Sequence, residues 1–104
     1  MIQLHLMSKD RELLTGLGKL LLQKNLAIDL TLQSESERIE LKEGELKRTA
    51  ITRLTAKTKS LLFNQIETLF KEYLLSGKLE MFSVAIVHMN WEEAKRLSKE
   101  VEPV

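Results

Sequence analysis

The sequence predicts an α+β fold with a ferredoxin-like β-α-β-β-α-β order, an antiparallel sheet and an extra C-terminal helix. Three observations lead to this prediction. The apolar spacing changes within residues 20–32 from a helical repeat to strict alternation, so a helix runs directly into a strand. Two alternating segments flank Gly44, as in a hairpin. A second helical stripe over residues 62–73 precedes another apolar strand.

The first half of the chain gives clear element signals. Alternation over residues 2–7 predicts the first strand, and the leucines of residues 13–21 predict a helix that Ser8 or Asp10 caps. Two glycines at positions 16 and 18 interrupt this helix. Each costs about 1 kcal/mol relative to alanine, which indicates close packing of this helix on the sheet.

The hairpin strands follow. The second strand is predicted over residues 26–33 and again over 38–42, with the polar segment 34–37 as a loop or bulge. A turn at 43–45 leads into a third strand over 46–57, which is rich in threonine.

The second half predicts a helix, a strand and a final helix. The helix opens at Lys59 or Ser60 and ends before Gly77. The strand is predicted over residues 78–89, where continuous apolar residues at 84–87 indicate that both faces are covered. Asn90 is the predicted cap of the last helix, and Glu93 lies at the capping-box position.

Composition narrows the class of protein. The length of 104 residues indicates one domain, residues 1–104. Sixteen basic and fifteen acidic residues give a net charge of +1, which argues against a nucleic-acid partner. The absence of cysteine excludes disulfides, thiolate zinc sites and cysteine nucleophiles. No signal peptide or apolar run of membrane length is visible, so we expect a cytoplasmic protein without a membrane partner.

Three short motifs in order resemble the CutA divalent-cation-tolerance family, within the wider PII-like group. They are the helix-to-strand junction Leu21–Ala27, the hairpin Glu43–Gly44 and the pair Lys57–Thr58. The resemblance implies a homotrimer with a role in divalent-cation tolerance. Two features of the family pattern are missing: its cysteine is replaced by Asp29, and its His-x-Tyr-x-x-Pro segment falls at residues 74–79 with none of the three residues kept.

The two histidines are the candidate metal ligands. His5 and His88 lie on the first and last predicted strands, close in sequence to Met7 and Met89. If these side chains share one face, imidazole and thioether groups suit a divalent metal such as copper. The alternative is two partly exposed histidines and two methionines that fill the core or an interface.

Asp29, Arg53 and Lys57 are the candidate ligand-binding residues. Asp29 occupies the family's cysteine position, and its alternative role is an ion pair with a base such as Arg53. Arg53 and Lys57 belong to a positive strand segment that is suited to an anion where the strand meets the second helix. The alternative is a solvated strand whose charges neighbouring glutamates balance.

The predicted function is a binding or regulatory module and not an enzyme. Trp91 and Met89 are the candidate oligomer contacts, because tryptophan is favoured at interfaces. Two alternatives stay open. One is a PII-like regulator of a small ligand or protein with no metal role. The other is an enzyme of the dimeric α+β barrel type, which would need His5 or His88 in a pocket.

Overall fold

A computed structural model describes residues 1–103, in which helices cover one face of a four-stranded antiparallel sheet. The elements are β1 (Ile2–Ser8), α1 (Arg11–Gln23), β2 (Ile28–Lys42), β3 (Glu45–Thr58), a 3₁₀ turn (Ser60–Leu62), α2 (Phe63–Leu69), α3 (Lys71–Leu75), β4 (Glu80–Ala85) and α4 (Trp91–Glu100). The predicted α+β ferredoxin-like fold is confirmed.

The strand order is β2-β3-β1-β4, and every neighbouring pair is antiparallel. Strand β1 is central, and its even-numbered residues are buried while the odd-numbered ones are half-buried. The buried side packs on leucines and aromatic residues of the helices in one apolar cluster. The opposite side of the sheet, which we call the open face, carries His5, Thr55 and Phe82, which lie beside one another in the pairing register.

Helix α1 begins where the sequence predicts, and its predicted close packing on the sheet holds at one of its two glycines. The Asp10 carboxylate accepts a hydrogen bond from the backbone N–H of Leu13 at 3.1 Å, which caps the helix. A methyl group on Gly18 would lie 2.8 Å from side-chain carbons of Leu30 and Leu54, so close packing is confirmed there. Gly16 faces open space, so the same prediction is wrong at that position.

Strands β2 and β3 form a long hairpin. The polar segment 34–37 is part of β2, with a register shift between Gln33 and Ser36, so the bulge alternative is the right one. At the turn both Glu43 (φ 52°) and Gly44 (φ 80°) have positive φ, as a type I′ turn requires. Between Thr52 and the hairpin turn, β3 no longer pairs with β1. We call residues 36–51 the hairpin arm, because they extend past the sheet as a two-stranded ribbon.

Two predictions for the last strand need correction. The last strand ends at Ala85 and not near residue 89, because β1 begins at Ile2 and offers no further pairing partner after the Ile86 N–H donates to the Met1 carbonyl. Of the apolar residues 84–87, Ile86 is half-buried and the other three are exposed within the chain, with the side chain of Val87 81% exposed.

The final helix starts after Asn90 as predicted, but the capping box is absent. The Asn90 side chain makes no capping hydrogen bond. Glu93 instead contacts Lys57 and Arg96. Of the helices within residues 1–103, none has the length and apolar character needed to cross a membrane.

Candidate functional site

Asp29 lies in a bulge at the start of β2. The pairing with β3 shifts between Ile28 and Thr31, and Asp29 between them has φ 53°. This left-handed conformation is uncommon for residues other than glycine, although aspartate tolerates it better than most. The bulge sets the Asp29 carboxylate beside the end of β3 and beside α4.

Four charged side chains meet at this point. Lys57 Nζ lies 3.3 Å from Asp29 Oδ2 and 3.3 Å from Glu93 Oε2. The Arg96 guanidinium donates to the same two oxygens, at 3.0 Å for Glu93 and in closer contact for Asp29. We call Asp29, Lys57, Glu93 and Arg96 the α4 clamp, because they connect the bulge and β3 to the C-terminal helix.

The clamp changes the protonation of Asp29. Partial burial raises the pKa of this carboxyl, but the hydrogen bond from Lys57 and the positive charge of Arg96 outweigh it. The pKa of Asp29 is therefore below its ordinary value, and the carboxylate is ionised at neutral pH. The sequence alternative of an ion pair for Asp29 is right, with Lys57 and Arg96 as partners and not Arg53.

A second group of contacts fixes the far end of α4. Lys59 Nζ donates to the backbone carbonyls of Ser98, Val101 and Glu102 at 3.4, 3.1 and 2.9 Å. The Glu102 N–H donates to the Asn25 carbonyl at 2.8 Å. Basic groups at a helix C-terminus stabilise its free carbonyls, so Lys59 holds the end of α4 beside the end of β3. The bond from Glu102 to Asn25 holds the same end beside the junction between α1 and β2.

The side chains around Asp29 do not suit a metal ion. Hard cations take several oxygen ligands, and zinc or copper takes several imidazole, thiolate or carboxylate ligands together. The Asp29 carboxylate instead faces an ammonium and a guanidinium group, which would repel a divalent cation. Within residues 1–103, no three His, Asp or Glu side chains are grouped so that they would hold a metal ion.

His5 and Arg53 are placed on the open face of the sheet. The His5 ring stacks on Phe82 with ring centroids 4.6 Å apart, and its Nε2 lies 3.2 Å from the Gln3 side-chain oxygen. Burial and the charge of Arg53 both lower the pKa of His5, so the imidazole is neutral at pH 7. Arg53 therefore lies near His5 and apart from the clamp.

His88 is exposed and lies outside β4. The register places Phe82 opposite His5, and His88 follows six residues later along the chain. The first and last strands are neighbours as predicted, but the placement of His88 on the last strand is wrong, because β4 ends at Ala85. Metal binding by either histidine stays a prediction.

The two candidate interface residues behave differently. Met89 is half-buried and packs against the apolar core of its own chain. Trp91 is 71% exposed at the start of α4, with Lys95 Nζ 5.8 Å from the centre of its ring. Only Trp91 has the exposure that an intersubunit contact needs.

Sequence reasoning missed two ionic contacts. Arg38 in the hairpin arm makes a two-pronged ion pair with Glu80 of β4, at 2.5 and 2.6 Å. This pair lines a cleft of about 470 Å³ together with Ser8, Lys9 and Lys78. The missed clamp residues Glu93 and Arg96 are three positions apart on α4, a spacing that predicts a helical ion pair but not its contact with β2.

Solved structures of other proteins share the fold of this chain. The sequence matches no family model and no curated protein at a significant level. Among solved structures, CutA1 from Pyrococcus horikoshii has a TM-score of 0.83 at 18% identity, with 99% of this chain and 100% of that chain covered. The divalent cation tolerance protein from Thermus thermophilus has a TM-score of 0.81 at 19% identity, with 98% and 100% covered.

A third neighbour extends the agreement. The periplasmic divalent cation tolerance protein CutA from Archaeoglobus fulgidus has a TM-score of 0.82 at 18% identity, with 98% of this chain and 100% of that chain covered. The match spans nearly the whole of both chains in each case, so no element of this chain lies outside the common architecture. From β1 to α4, this chain has the fold of the CutA divalent-cation-tolerance proteins.

Proposed function

We propose that this chain is a small homo-oligomeric binding or regulatory protein of the CutA type, with a role in divalent-cation tolerance. The observation that supports the proposal is the fold match over 98–99% of the chain to proteins with that name. Since one fold supports several functions, the proposal also needs support from the surface of this chain.

The surface supports self-association. The edge strand β4 and the segment after it expose Phe82, Val84, Val87 and Trp91. An edge strand offers unpaired backbone groups, and exposed apolar residues beside it are typical of a protein interface. We propose a trimer, as the sequence resemblance implies.

The mass of the protein in solution tests the trimer. Light scattering coupled to size exclusion at micromolar concentration is expected to give three times the chain mass of 12.0 kDa. A stable particle of 12.0 kDa at that concentration would contradict the oligomeric proposal.

Calorimetric titration with Cu²⁺ and Zn²⁺ tests the link to cations. Binding by the wild type that a His5→Ala/His88→Ala variant loses would support these residues as ligands, and unchanged binding in the variant would eliminate them. If the wild type binds neither cation, the cation role fails and the regulator without a metal role replaces it.

That alternative regulator is supported by the α4 clamp, because the residue at the family's cysteine position is held in ion pairs. The enzyme alternative has less support. Neither histidine lines the clefts of about 470, 420 and 370 Å³. We also propose a cytoplasmic location without nucleic-acid or membrane partners, although one neighbour is named periplasmic.

A further inference from the structure

We infer that Asp29 anchors the C-terminal helix and that this chain holds no divalent cation at that position. This rests on the proposed CutA-type function, because position 29 is where the family has its cysteine. It limits any cation binding by this protein to other residues.

The clamp is a closed ring of alternating charge. Asp29 Oδ2 and Glu93 Oε2 each contact both Lys57 and Arg96, so each cation bridges the same two carboxylates. Two positive and two negative groups leave no net charge in the ring. A divalent cation would have to displace both bases and would then lie beside an unpaired ammonium and guanidinium.

The ring connects parts of the chain that are distant in sequence. It joins the bulge of β2, the end of β3 and the first two turns of α4, with a sequence separation of 67 between Asp29 and Arg96. Within α4 only Leu97 is fully buried, and Val101 follows it. With so little apolar burial, we infer that the clamp supplies a large part of what docks the N-terminal half of α4.

The same helix carries the means to test its docking. Trp91 is the single tryptophan of the chain and is the first residue of α4. Its fluorescence anisotropy therefore reports the mobility of this helix without any label. Because Trp91 is also a candidate oligomer contact, light scattering on each variant distinguishes a more mobile helix from a dissociated oligomer.

The test compares Asp29→Asn with Glu37→Gln. Glu37 is a matched control, because it also lies on β2 and faces an arginine, Arg48, at the longer distance of 4.0 Å. Asp29→Asn is expected to lower the Tm by about 4–8 °C and to lower Trp91 anisotropy, with much of the Tm difference lost at high salt. Glu37→Gln should change neither.

Arg96→Met removes a member of the same ring that lies on α4. It should also lower both the Tm and the Trp91 anisotropy. The Asp29→Asn/Arg96→Met double variant should lose less than the sum of the two single variants. If Asp29→Asn leaves both the Tm and the anisotropy at wild-type values, Asp29 does not anchor α4 and the inference is overturned.

Calorimetric titration with Zn²⁺ and Cu²⁺ tests the second half of the inference. Wild type and Asp29→Asn should bind the same amount of each cation with the same affinity. Binding that the wild type shows and Asp29→Asn loses would overturn it. A monomeric protein would defeat the proposed oligomer but would leave both of these measurements interpretable.

Discussion

At the scale of single residues, the backbone at position 29 decides which role the side chain takes. Asp29 adopts φ 53° within a bulge, and its carboxylate meets Lys57 and Arg96. From the sequence, Asp29 is a candidate because it occupies the position of the CutA family's cysteine, on the side of the strand opposite to Ile28 and Leu30. The sequence does not predict the bulge, because β-bulges have no sharp sequence signature outside glycine.

The lowered pKa of Asp29 predicts a pH dependence of stability. A carboxyl whose pKa is lower in the folded protein stabilises the fold above its unfolded value of 3.8 and loses this contribution as the pH falls through the folded value. Urea unfolding of wild type and Asp29→Asn should therefore differ at about pH 6 and converge as the pH falls below 3.8 and through the lower folded value. A constant difference over this range would contradict the prediction.

The two glycines of α1 make a second prediction. Gly16→Ala should stabilise the protein by up to about 1 kcal/mol, since alanine favours the helix and the new methyl group meets open space. Gly18→Ala should be less stable than Gly16→Ala, because Leu30 and Leu54 must move away from the methyl group. Chemical denaturation of both variants gives the comparison, and equal stabilities would refute this account of Gly18.

At the scale of elements, the hairpin arm is the part of the fold with the least support from its own chain. Between Thr52 and the hairpin turn, its two strands pair only with each other. One side exposes Ile39, Leu41 and Leu46. Because an isolated two-stranded hairpin is only marginally stable in water, the ion pair between Arg38 and Glu80 is the main tether of the arm to β4.

Breaking that tether should loosen the arm alone. Arg38→Ala is expected to speed hydrogen exchange of the amides in residues 38–49 and to leave the β1 amides protected. Arg48→Ala is the matched control, since Arg48 lies in the same arm but its nearest carboxylate oxygen, on Glu37, is 4.0 Å away. Equal exchange in the two variants would show that the Arg38 ion pair does not hold the arm.

Element positions were predictable where local signals set them. The cap at Asp10, the turn at Gly44 and the leucine stripe of α1 all appear where the sequence predicts them. The end of β4 was not predictable in the same way. Apolar residues continue past Ala85, and only the length of the paired strand β1 ends the ladder.

At the scale of the whole molecule, the fold was predictable and the site was not. The spacing of apolar residues over positions 2–75 indicates which side of each helix and strand is buried. The buried sides determine how the helices and the sheet stack in layers. The clamp depends on contacts across 28, 36 and 67 residues, for which no local pattern exists. The apolar residues 84–87 predicted covered faces, but all of them except the half-buried Ile86 are exposed in a single chain.

The proposed assembly through the exposed β4 edge predicts the effect of one substitution. Val84→Glu should shift the particle toward the 12.0 kDa chain mass, because a buried unpaired carboxylate is costly at an interface. Leu22→Glu is the control, since Leu22 is similarly exposed at 49% but lies on α1, away from β4. Light scattering compares the two, and an unchanged mass for Val84→Glu would remove this edge from the interface.

Lys59 has a consequence for the chemical modification of this protein. Three backbone carbonyls from the end of α4 and the residues after it surround its amino group. Acetylation would convert that ammonium into a neutral amide with one N–H. The acetylated chain would leave at least two of these oxygens without their donor, so a single acyl group at Lys59 would weaken the attachment of the chain's C-terminal end.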